Sequence, residues 1–296
     1  MTGERLTVTA ADGRTLPALV AGPVDGLPLV VHHGTPSGLA LYPPWVEAAN
    51  TRGLRTVMVA RPGYGDATPQ PGRAVAAAAG DVAAVLDALG AAEFVTLGWS
   101  GGGPHALACA ALLTDRCLAA ASVAGVAPYP AEGLDWLGQM GLENIAELDA
   151  ALTGEAALTT FLEAAATEVS AVTATRVSAE LGGLVSEVDQ KMISGAFAEF
   201  FAEALRTSVD SGIAGWRDDD LAFVTDWGFG LDGIGPVAIW HGLHDRMAPY
   251  PHGEWLAEHV PGARAHLLSD EGHLTLVAGD TGRILDDLLD LAGKRR

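Results

Sequence analysis

FVTLGWSGGGPHALACAALL, residues 94–113, sets one serine among four glycines, between an apolar run and an Ala/Leu-rich run. Phe94–Gly98 reads as a strand buried on both faces, because its apolar run is continuous rather than alternating. Pro104–Leu113 is rich in helix formers, and a proline suits a first helical turn. Two or three residues separate the elements. A turn that tight forces one residue into a strained conformation and brings backbones together, and glycines at 98, 101 and 102 relieve the crowding.

The serine then stands above the sheet, beside helix amides that point outward. This is the G-x-S-x-G nucleophile elbow, Gly98-Trp99-Ser100-Gly101-Gly102. A rival is the dinucleotide fingerprint, since Gly101-x-Gly103-x-x-Ala106 satisfies G-x-G-x-x-A. That motif expects an acidic residue about 20 positions on. The corresponding region, AAASVAGVAP (119–128), has none. A Gly-rich turn without chemistry is the remaining rival, and only the rest of the chain decides against it.

A serine hydroxyl needs a base, the base an orienting acid, and the developing oxyanion two donors. On such a sheet the chain order is serine, acid, histidine. Downstream, PVAIWHGLHDRMAP (236–249) is an apolar strand running into a loop with Asp245. ARAHLLSDEGHLTLV (263–277) is another, running into a loop with His273. Both lie past strand C-termini, where open α/β sheets place their sites. Of nine histidines, only His273 follows a last strand in a Glu-Gly-His loop. His259 reads as a surface helix residue, His266 as structural and His244 and His252 as loop bystanders. His241 precedes the acid, and His105 points away on the helix after the serine. Asp270 competes with Asp245 for the acid. PLVVHHGTPSG (28–38) ends in His-Gly-Thr-Pro, where the amide of Thr35 is the expected oxyanion donor beside that of Gly101. Trp99, His33 and Tyr64 are candidates for the substrate pocket. For Trp99, packing beneath the sheet is an equal alternative.

HGTP (33–36), RPGYG (61–65), GWSGG (98–102), HGLHDRMAP (241–249) and EGHL (271–274) together resemble the α/β-hydrolase fold superfamily, in its Ser-Asp-His branch of single-domain hydrolases with a helical lid. The resemblance spans about residues 5 to 290. It implies an α/β fold with a mostly parallel, doubly wound, eight-stranded sheet and an inserted helical cap. It serves esterases, lactonases, peptidases and carbon–carbon hydrolases alike. A serine nucleophile argues against the branches that use an aspartate.

Strand-like runs near 5–10, 15–21, 28–33, 54–60, 94–98, 118–124, 236–241 and 264–269 alternate with helical runs near 42–52, 73–90, 101–113, 251–259 and 276–292. The first two strands read as a hairpin around Asp12-Gly13. RPGYGDATP (61–69) reads mainly as a structural turn. The alternation places the core at 1–125 and 234–296 and a helical cap at 126–233. The segment 127–233 has 19 acidic and 4 basic residues, so it holds −15 of the formal −20. Solvated helix faces explain this most simply; a roof that draws in cationic substrates is the sharper alternative.

A charge of −20 argues against nucleic acid. Two cysteines make no disulfide framework. MTGERLTVTAADGR carries no apolar signal core, and the Ala-rich runs are broken by charges. A cytoplasmic protein with no membrane partner, metal or cofactor is expected, acting on a small-molecule acyl substrate. The leading expectation is a serine hydrolase of carboxylic esters or lactones working through an acyl-enzyme. One alternative is an aminopeptidase of the proline-iminopeptidase kind, although HGTPS and GWSGG depart from the HGGPG and GGSWG patterns of that group. A non-enzymatic ligand-binding protein on the same scaffold is the other.

Overall fold

A computed structural model describes residues 3–279 and 281–294. Eight strands form one sheet: β1 (Glu4–Thr9), β2 (Thr15–Ala21), β3 (Leu27–His32), β4 (Leu54–Val59), β5 (Phe94–Trp99), β6 (Cys117–Val123), β7 (Val237–Gly242) and β8 (Arg264–Leu268). Their order is β1-β2-β4-β3-β5-β6-β7-β8. Pairs β1·β2 and β2·β4 are antiparallel, and every later pair is parallel. The β1–β2 hairpin turns at Gly13, whose φ of +87° suits glycine.

The central strands read as continuous apolar runs because both faces are covered. Leu29 and Val31 of β3 join one core with Trp45 and Ala49 of the helix Pro43–Asn50 and Ile284 and Leu288 of Thr281–Leu291. Val30 points to the other core, with Val82 and Leu86 of the helix Ala77–Ala88, Leu107 of Gly102–Leu112 and Leu256 of Tyr250–His259. Alternation within a fully apolar strand thus feeds two cores. The predicted final helix divides in two, Thr275–Ala278 and Thr281–Leu291, at Gly279, whose φ and ψ of −84° and −140° interrupt the helical backbone.

Between β6 and β7 the chain contains only helices and loops among the described residues, including Leu142–Thr153, Glu155–Ser170, Gly195–Ser208 and Ala214–Phe223. Phe197, Phe201 and Ala202 of this insert pack on Tyr42 and Trp99 of the sheet region. Among the described residues no helix is long and apolar enough to cross a membrane.

The glycines around the serine are required by contact. A Cβ on Gly98 would run into the backbone of Gly102, and one on Gly102 would meet the backbone of His32 and His33. Gly98→Ala is therefore expected to lower unfolding stability by about 1–3 kcal/mol through overpacking. Gly80→Ala, on an exposed helical position with open space around it, is expected to be neutral or to stabilise by up to ~1 kcal/mol. Urea denaturation of the two variants checks the contrast.

Candidate active site

Ser100 sits between β5 and the helix Gly102–Leu112 with φ +56°, a left-handed conformation in a non-glycine residue. Such a conformation costs on the order of 1–3 kcal/mol and persists only where surroundings enforce it. Here two backbone bonds hold it. The Ser100 amide donates to the Val123 carbonyl at 2.9 Å, and the Gly103 amide donates to the Ser100 carbonyl at 2.8 Å. Close approach of His32 to Gly102 fixes the other flank. The hydroxyl makes no hydrogen bond among the described residues. It faces a cavity of about 420 Å³ that His273, Thr35 and Gly101 also line.

His273 and Asp245 come from the loops after β8 and β7. Nδ1 of His273 donates to Asp245 Oδ2 at 2.8 Å, and both residues are buried. Asp245 Oδ1 accepts from the amides of Met247 and Ala248 at 2.8 and 2.9 Å, so the carboxylate is held by its own loop. Burial opposes a charge on His273. The charge and hydrogen bond of Asp245, with a further contribution from the charge of Asp189, outweigh it and raise the imidazole above its ordinary value. Trp99 donates from Nε1 to the His273 carbonyl at 3.4 Å and also lines the cavity.

The other histidines are occupied elsewhere. His241 is bonded through Nε2 to the Ala248 carbonyl at 2.6 Å, and burial lowers its pKa. His252 bridges the Ala127 amide and the Trp136 carbonyl. His266 stacks on Trp240 and meets Asp287. His105 bonds to the Gly101 carbonyl beneath the elbow. His244 and His259 are exposed, as is Asp270, which among the described residues accepts only from Ser269.

The Thr35 amide and the Gly101 amide have no acceptor among the described residues. They lie on facing segments, since a Cβ on Gly101 would meet the Thr35 side chain. Two pocket candidates belong elsewhere. His33 does not line the cavity: it is buried, its Nδ1 bonds to the Gly34 carbonyl, and its ring stands edge-on to Tyr64. Tyr64 is also outside the lining and donates its hydroxyl to Asp219 at 2.9 Å.

Asp219 is a residue that sequence reasoning missed. It lies on the insert helix Ala214–Phe223, fully buried. Its carboxylate accepts from Thr35 Oγ1 at 2.8 Å, from Arg61 Nε and a terminal Arg61 nitrogen, from Arg73 at 2.5 Å and from Tyr64. Burial alone would raise this carboxyl; the charges of Arg61 and Arg73 reverse that and hold it well below the ordinary range. Arg61 also donates to the carbonyls of His33 and Gly34 at 2.6 and 2.9 Å. The cluster therefore fixes the loop that carries the Thr35 amide. Its sequence signal was the arginine ending an apolar strand before Pro62, together with three consecutive aspartates, 218–220, on an otherwise partly apolar helix.

The insert supplies most of the remaining cavity wall. Trp136, Phe161, Trp216 and Phe223 are aromatic. Glu143, Glu147, Glu168, Glu180 and Asp220 are acidic, and no lysine or arginine joins them in the described lining. Burial, then the nearby Glu147 carboxylate, raises Asp220 well above its ordinary value; burial also raises Glu147, which accepts from Trp216 Nε1 at 2.6 Å.

Comparison with known proteins agrees with this architecture. A hydrolase from Pseudomonas aeruginosa PA01 superposes with a TM-score of 0.71 at 21% identity, covering 98% of this chain and 99% of the other. An α/β-hydrolase fold protein from Nakamurella multipartita gives 0.67 at 25%, covering 98% and 100%. A thermophilic esterase from Thermogutta terrifontis gives 0.66 at 18%, covering 98% and 99%. No curated protein matches the sequence. The family model described as the α/β-hydrolase fold matches residues 28–280, and the chain belongs to that family.

Proposed function

We propose that the protein is a serine hydrolase that cleaves a small carboxylic ester or lactone through an acyl-enzyme, with residues 126–233 acting as a cap. The observation that carries this reading is the strained Ser100 facing one cavity with His273, whose Nδ1 is bound to Asp245. In the proposed cycle Nε2 of His273 takes the Ser100 proton as the oxygen attacks the acyl carbon. The amides of Thr35 and Gly101 receive the oxyanion. The imidazolium then protonates the leaving oxygen, and water repeats the sequence on the acyl-enzyme. Asp245 holds the tautomer with its proton on Nδ1 and stabilises the cation. An apolar, aromatic wall around a few polar groups suits a small acyl compound.

A fluorophosphonate should label one residue per chain, within the GWSGGG peptide. Ser100→Ala and His273→Ala should each abolish labelling and nearly all ester turnover. Asp245→Asn should lower kcat by up to about 10⁴ through the wrong tautomer. Peptide mapping by mass spectrometry decides; adduct at another serine contradicts the assignment.

The pH dependence has a defined sign. His273 must be neutral to accept a proton, and its pKa is raised from 6.5. Labelling and kcat/KM should therefore fall as pH drops through a value above 6.5. An acid limb centred below that value counts against His273 as the base.

The acidic cavity favours a second reading, in which the substrate carries a cationic nitrogen, as a peptide with a free amino terminus does. Five carboxyl side chains line the cavity and no lysine or arginine joins them in the described lining, although Glu180 is paired with Arg176 at 2.5 Å. Under this reading kcat/KM for an aminoacyl ester or arylamide should fall with added salt, as screening shortens the field. Glu147→Gln should lower it further, while a neutral ester responds to neither. Equal responses for both substrates leave the ester or lactone reading alone.

A further inference from the structure

The backbone of His273 is held from outside its own loop. Asp189 lies on the insert, in the short helix Glu187–Gln190, and is fully buried. Its Oδ2 accepts from the His273 amide at 3.0 Å and from the Ser186 hydroxyl at 2.7 Å. Its Oδ1 accepts from the amides of Leu274 and Thr275 at 2.7 and 3.0 Å. Three consecutive amides thus converge on one carboxylate that belongs to a different part of the chain, more than eighty residues earlier. The fit is close: a Cβ on Gly272 would collide with that carboxylate. Among the described residues, every hydrogen bond of the Asp189 carboxylate serves either this anchor or the Ser186 hydroxyl that steadies it.

We propose that Asp189 is the positioning residue of His273, so that the base is aligned with Ser100 only while the insert is seated on the core. The proposal rests on the reading of His273 as the base. Asp245 fixes the ring through Nδ1, but one hydrogen bond leaves the ring free to pivot about it. Asp189 removes that freedom by fixing the peptide from which the ring projects. The same loop segment could have been capped by core residues. Anchoring it from the insert instead couples closure over the cavity to assembly of the catalytic groups, and water entering an open site meets a poorly aligned base.

The groups facing His273 are Asp245 from the loop after β7, Asp189 from the insert, and the neutral side chains of Trp99 and His241, the latter 3.5 Å from Asp245. The two carboxylates raise His273, so removing one charge lowers it.

The test is the rate of fluorophosphonate labelling against pH for wild type, Asp189→Asn, Ser186→Ala and His273→Ala, each full-length and checked by near-UV circular dichroism. Asp189→Asn should label up to about 10²-fold more slowly, the scale of a misplacement of about 1 Å. Its acid limb should move to lower pH. Ser186→Ala, which keeps the charge and all three amide bonds but frees the carboxylate to move, should slow labelling less and leave the limb in place. It carries the test if Asp189→Asn does not fold, and wild-type labelling by a folded Ser186→Ala then overturns the proposal. A folded Asp189→Asn with wild-type rate and limb overturns it. A slower rate with an unmoved limb also overturns it, assigning Asp189 to packing alone. Undiminished labelling of His273→Ala would instead remove the underlying reading of the base, which separates the two failures.

Discussion

The turn at Ser100 is the constraint on which the architecture depends. A strand must end and a helix begin within two residues, and the residue between them must hold φ near +56°. Nothing in serine favours that conformation, so the neighbours must impose it. They do so by proximity: Gly98 and Gly102 let backbones approach closely, and bonds to Val123 and from Gly103 close the turn. β5 must therefore lie between β3 and β6, as it does. The neighbours of β5, the start of the helix and the placement of one hydroxyl on the cavity follow from a single crowded turn.

A second constraint ties the insert to the sheet. Asp219 and Asp189 are fully buried carboxylates on the insert, and each binds a core loop that reaches the cavity. Neither is a surface ion pair of small worth. A buried charge that loses its partners costs about 3–5 kcal/mol, so Arg61, Arg73, Tyr64 and Thr35 form a set that tolerates little change. The cation excess in this cluster also lies next to the Glu147–Asp220 pair. Asp220 follows Asp219 in the chain, yet the two shift in opposite directions, because Asp219 meets two arginines and Asp220 meets another carboxyl.

Much of this was legible in the sequence. All eight strands were readable because apolar runs bounded by turn residues have few other uses in a chain of this composition. Ser100, Asp245 and His273 were singled out because each follows such a run, and the structure sets Ser100 and His273 on one cavity with His273 bound to Asp245. Three things were not. His33 and Tyr64 stood beside the right loops, but a residue next to a site points into it or beneath it according to backbone direction, and sequence spacing does not specify which. The last helix broke at Gly279, although apolar periodicity continued across the break. Asp189 and Asp219 act across more than eighty residues of chain, through contacts no local pattern records.

The acidity of the insert illustrates the same limit from the other side. An excess of carboxylates on amphipathic helices reads most simply as solvated faces, and residues such as Glu163 and Glu187 fit that reading. The buried carboxyls do not. Asp189 binds amides, Asp219 binds arginines, and Asp220 lines the cavity against the Glu147 carboxyl. One compositional excess therefore contains three physical populations, distinguished only by what each oxygen faces. Net charge sums them, and so carries information about long-range attraction while hiding the two anchors that hold the insert in place. A carboxylate that meets two guanidinium groups, as Asp219 does, is neutralised locally, whereas Asp189, held by amides, keeps its charge and acts on His273. Burial raises both members of the Glu147–Asp220 pair and so favours their uncharged forms, and Glu180 is paired with Arg176, so any attraction of the cavity wall itself for a cationic substrate depends on fewer charges than its five carboxyls.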